Sequence, residues 1–112
     1  MKGIVLAALL MVAALPARGY DDGGYVSYGT GGKSCGTWQE DRRAGGFKKT
    51  ILATWVTGYV TGYNAWVEGS NDVGEGTDID GLLAWIDNYC AENPLNSISK
   101  AASALIWHLM TR

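Results

Sequence analysis

The chain has 112 residues, five tryptophans and two cysteines, with 9 basic against 11 acidic side chains for a formal charge of −2. That length suits one domain and no more, and the acidic balance excludes a nucleic-acid binder, which needs clustered Lys and Arg for phosphate. The small basic cluster Arg42, Arg43, Lys48 and Lys49 reads as a solvated face or helix end.

The chain opens with basic Met1-Lys2, an apolar run from Ile4 to Leu15, and small residues at Ala17 and Gly19. This is the pattern of an export signal. The run is too short for a spanning helix, which takes about 20 apolar residues. Residues 1–19 are therefore expected to be cleaved, leaving a periplasmic or secreted protein with no membrane attachment. The remaining 93 residues carry seven basic and eleven acidic side chains, a charge of about −4 with His108 neutral.

Residues 20–34 are rich in glycine and tyrosine and show no apolar period. Glycine loses the most backbone entropy on ordering, so a flexible leader is expected here. The ordered domain spans residues 35–112. Thr37 and Glu40 have capping-box spacing, which predicts a short helix from Trp38 to about Ala44, ended by Gly45-Gly46. A second helix is predicted from about Lys49 to Glu68, with Ile51, Trp55, Gly58, Gly62 and Trp66 recurring at helical spacing and Leu52, Tyr59 and Tyr63 beside them.

Gly69 to Thr77 reads as a glycine-rich acidic loop. A third helix starts near Asp78, where Thr77 can cap, and presents Ile79, Leu82, Leu83, Ile86 and Cys90 as one apolar stripe. Asn93-Pro94 stops it. A fourth helix from about Ser97 turns Ile98, Ala101, Ala102, Leu105 and Leu109 inward. The fold class is all-α: a small disulfide-stapled bundle of three main helices and one short N-terminal helix.

Cys35 and Cys90 can pair only with each other, and an exported chain keeps such a pair oxidised. The Cys-x-x-Cys spacing of redox sites is absent, so the bond is structural. Gly58 and Gly62 lie on one helix face at a cost of about 1 kcal/mol each. Close approach of another helix or of a ring such as Trp38 or Trp85 is the expected compensation, and a partner-binding groove is the alternative. Trp55 and Trp85 are assigned to packing. Five tryptophans overfill so small a core, which leaves Trp66 and Trp107 as exposed binding anchors.

Asp72 and Glu75 join them as candidate partner contacts from the acidic loop. Calcium would need the twelve-residue loop pattern, which is missing, so no metal or other cofactor is expected. His108, the single histidine, suits the negative end of its helix. No nucleophile or carboxylate pair has catalytic spacing with it, and no enzyme is expected.

The segment Trp55-Val56-Thr57-Gly58-Tyr59-Val60-Thr61-Gly62, paired with a helix from Trp85 that ends before Pro94 and an alanine-rich helix after it, resembles the Tai/Rap-type immunity proteins of type VI secretion amidases. Cysteines in the first and third helices also resemble the HdeA-type periplasmic acid-stress chaperones. The first resemblance implies a periplasmic, often dimeric helical domain that plugs the active site of a peptidoglycan amidase. The second implies exposure of apolar surface to unfolded clients in acid. The chain lacks a cysteine on the Gly58 helix and at the C-terminus, a departure from the immunity pattern. The expected function is a non-enzymatic periplasmic protein-binding domain whose partner is an amidase effector, with unfolded clients as the alternative.

Overall fold

The computed structural model describes residues 19–112, so the expected export signal lies outside the described residues apart from Gly19. In chain order come a short antiparallel hairpin, β1 (Tyr20–Asp21) and β2 (Val26–Ser27), a 3-10 turn (Gly29–Gly32), and the helices α1 (Cys35–Ala44), α2 (Gly46–Trp66), α3 (Ile79–Glu92) and α4 (Ile98–Thr111). The helical class is as expected: three long helices and one short.

Helix ends follow local chemistry, with two shifts from the sequence expectation. Ser34, not Thr37, caps α1, its hydroxyl accepting from the Thr37 N–H at 3.1 Å, so the helix begins three residues early. At the start of α3 the Asp78 carboxylate takes the Gly81 N–H at 2.8 Å, and Thr77 is not the cap. Ser97 caps α4 through the Lys100 N–H at 3.0 Å. Between α1 and α2 the chain turns at Gly45 and Gly46, with φ of 68° and 58°. Only glycine enters that left-handed region without steric cost, which is why the break falls there.

The core gathers Trp38 from α1, Leu52, Val56 and Val60 from α2, and the inward stripes of α3 and α4. On α4 all five expected inward residues are buried. The α2 face is rotated from the predicted one. Leu52, Val56 and Val60 point inward, Trp55, Tyr59 and Tyr63 line the edge, and Ile51 and Trp66 face solvent. Ile79 is also exposed, because as the first residue of α3 it precedes the turn that packs.

Cys35 and Cys90 are fully buried and joined by a disulfide between α1 and α3, their Cα atoms 4.8 Å apart. The α3–α4 turn wraps the same place. The Cys35 N–H donates to the Asn96 carbonyl at 2.7 Å, and the Ile98 N–H to the Lys33 carbonyl at 2.8 Å. A disulfide in so small a domain marks an oxidising, non-cytoplasmic compartment. No helix among the described residues is long and apolar enough to cross a membrane.

Residues 20–34 depart furthest from expectation. In place of a flexible leader they form the hairpin and the 3-10 turn, laid over α2 and α4. The Tyr25 hydroxyl meets the Ser99 hydroxyl at 2.8 Å and the Ser103 hydroxyl at 3.0 Å. Asp22 accepts from the Ser97 hydroxyl through both oxygens, at 2.9 and 2.8 Å. Trp55 Nε1 donates to the Tyr28 carbonyl at 2.9 Å. These partners repay the ordering entropy of a glycine-rich segment with hydrogen bonds and ring burial.

Candidate functional site

The partner residues expected from sequence gather at one end of the bundle, where α2 and α4 finish and the loop from Val67 to Asp78 crosses. Asn64 folds that loop from within α2, its Oδ1 accepting from the Val73 N–H at 2.8 Å and from the Ser70 hydroxyl at 3.3 Å. Asp72 closes a turn by accepting the Gly74 N–H at 3.1 Å. Arg112, at the end of the chain, donates to the carbonyls of Val73 and Glu75.

Together these contacts shape a depression of about 460 Å³ lined by Tyr63, Val67, Asp72, Glu75 and Met110, among others. Asp72 and Glu75 thus meet in one concavity. Trp66 and Trp107 do not line it, but Trp66 adjoins Val67 and Trp107 stands one turn before Met110. Trp66 is 89% exposed and Trp107 67%. Each indole thus leaves most of its ring in water, as an anchor for a partner would.

The other two tryptophans singled out for packing do pack. Trp85 stacks against Tyr89 at 5.7 Å on its own helix and against His108 of α4 at 5.3 Å. Trp55 leans on Tyr59, ring centres 5.4 Å apart. Gly58 and Gly62 do not serve packing. A Cβ added at either would find no atom within 4 Å, so neither glycine admits a close helix or ring. What requires close approach is Gly31, where an added Cβ would collide with the Trp55 ring and the Ser27 hydroxyl.

Gly58 instead lines a groove of about 520 Å³ walled by Tyr25, Tyr28, Trp55 and Tyr59. Sequence reasoning weighed a groove at these glycines but could not supply its other wall, because that wall comes from the segment read as a leader. Burial pushes the Tyr59 hydroxyl up to about 12; the Ser103 hydrogen bond opposes this, while Tyr25 and Asp22 reinforce it. Tyr59 therefore stays neutral. Ser27, also in the lining, has a buried hydroxyl with no hydrogen-bond partner among the described residues.

A third feature was also missed. Asp87 on α3 receives Arg42 and Trp38 of α1, with Trp38 Nε1 at 2.7 Å. Arg42 and Trp38 lie seven and three residues after Cys35, and Asp87 three before Cys90, so helical spacing from the two cysteines could have found it. Comparison with protein-family models, with curated proteins and with solved structures found no match. The functional reading therefore rests on this chain's own residues and motifs.

Proposed function

We propose that this chain is a non-enzymatic protein-binding domain of the periplasm, most like an immunity protein that inhibits a secreted peptidoglycan amidase. The observation that carries this reading is the exposure of Trp66 and Trp107 on helices of a folded, disulfide-tied scaffold. Exposed indoles supply large contact area to a partner, and their helices fix where on the domain that area lies. The neighbouring carboxylates Asp72 and Glu75 suit a partner whose rim is basic. The apparent export signal and the disulfide support the periplasm as the site of action.

One observation favours the HdeA-like alternative. The Arg42–Asp87 ion pair joins α1 to α3 only while Asp87 is ionised, so acid removes one tie between two helices that the disulfide still joins. The two readings differ in the state that binds. An immunity protein acts folded at neutral pH, and the apolar anchors here are already exposed in the folded state.

The test is an amidase assay on peptidoglycan at neutral pH, titrating the oxidised protein against the secreted amidase of its own organism. Loss of cleavage at one equivalent is the expected result. Full amidase activity at excess protein would overturn the reading. Loss of near-UV tryptophan signals at about pH 2 to 3 with suppressed client aggregation would favour the chaperone.

A further inference from the structure

The groove between the N-terminal hairpin and α2 lies apart from the Trp66 and Trp107 surface and has a chemistry of its own. Tyr25, Tyr28, Trp55 and Tyr59 wall it, Gly58 opens its floor, and no charged side chain lines it. Its volume of about 520 Å³ falls within the range of small-ligand sites. We propose that this groove is a binding site for a neutral pyranose oligosaccharide.

Three observations converge on that class. The first is charge. With neither cation nor carboxylate in the lining, an ionised ligand would lose its hydration without gaining a partner. The second is the pairing of ring faces with hydroxyls. The negative face of an aromatic ring attracts the C–H face of a sugar ring. The rim hydroxyls of Tyr28 and Thr54 both donate and accept, as sugar hydroxyls do.

The third is preorganisation. The Trp55 indole is fixed at both ends, by its N–H on the Tyr28 carbonyl at 2.9 Å and by the ring seated on Gly31. Tyr59 is held by the Ser103 hydroxyl at 2.8 Å, and Tyr25 by Ser99 and Ser103. These three rings therefore meet a ligand without further ordering. Gly58 fits the same account: it lowers helix stability and admits no internal neighbour, but it keeps the floor open.

A proline-rich peptide also docks on aromatic grooves. Its carbonyls only accept, however, whereas the rim hydroxyls of Tyr28 and Thr54 both donate and accept, as sugar hydroxyls do, and the one indole N–H is already given to Tyr28. The sugar is the better match.

The test is a heteronuclear NMR titration of the oxidised protein with maltotriose, cellotriose, N-acetylchitotriose and decaproline as separate probes. At least one trisaccharide is expected to give saturable shifts centred on the Trp55 indole N–H and the Gly58 amide. Gly58→Leu, which fills the floor, and Tyr28→Ala, which removes an exposed wall, should each raise that Kd at least tenfold. Tyr28→Ala keeps the test intact if the leucine variant fails to fold. No saturable shift with any trisaccharide at millimolar concentration would overturn the proposal. So would saturation by decaproline alone, or sugar binding that both variants retain.

Discussion

Arg42 and Asp87 meet in a two-pronged ion pair across α1 and α3, with Nε to Oδ1 at 2.9 Å and Nη2 to Oδ2 at 2.7 Å. Trp38 donates to the same carboxylate, and the Arg42 guanidinium lies 5.8 Å from the centre of the Trp38 ring. One turn further along α3, Cys90 is bonded to Cys35. The two helices therefore share an antiparallel seam, tied covalently at one end and ionically at the other. Trp38, fully buried, fills the space between.

The ionic tie predicts a specific response to acid. Burial works against ionisation of Asp87, but the hydrogen bonds from Arg42 and Trp38, aided by the charges of Arg42 and Lys49, outweigh it and hold the carboxyl below its usual range. Its stabilisation is complete above the unfolded carboxyl value of about 3.9 and is lost as pH falls through the lower folded value. Because the pair is partly solvated, the contribution is about 1 kcal/mol or less. Asp87→Asn should lower the neutral-pH melting temperature and flatten the acid limb of a Tm-against-pH profile. Parallel profiles for the two proteins would show that the pair contributes no pH dependence.

The covalent tie carries more. Closing a loop across 55 residues of separation contributes about 4 kcal/mol in the chain-entropy account. Urea unfolding of the oxidised protein against the double variant Cys35→Ser and Cys90→Ser should differ by that order. Coincident unfolding curves would contradict it.

Two glycine substitutions should act with opposite sign. Gly31→Ala forces the new methyl against the Trp55 ring and should cost about 1–3 kcal/mol. Gly58→Ala points its methyl into open space and should gain up to about 1 kcal/mol from helix propensity. Chemical denaturation of the pair measures both at once. A neutral Gly31→Ala would mean that the 3-10 turn does not rest on α2 as described.

These residues also show where sequence reasoning succeeds and where it stops. Helix stops at Gly45-Gly46 and before Pro94, the start of α4 near Ser97 and the α4 stripe were legible because each is local. The choice of Ser34 over Thr37 was not, since only Thr37 has capping-box spacing, while Cys35 beside Ser34 is held by its bond to Asn96, far along the chain. The folded leader was hidden for the same reason: Tyr25 finds Ser99 and Ser103 more than 70 residues away, and glycine content says nothing of distant partners. Core volume made it legible that one or two tryptophans stay outside, with Trp66 and Trp107 the candidates, although Trp66 also sat on the predicted α2 stripe. The Gly58 groove was half legible, because the helix cost is local while the opposite wall is not.

The most direct measurement of the central claim is calorimetric titration of the cognate amidase with wild-type protein and with Trp66→Ala/Trp107→Ala at neutral pH. Both indoles are exposed, so the double variant should melt within about 0.5 kcal/mol per site of wild type. The account predicts one-to-one binding by the wild type and an affinity loss of at least about 30-fold in the variant, about 2 kcal/mol at anchor residues. Equal affinity of the two proteins for the amidase, or no binding by either, would contradict it.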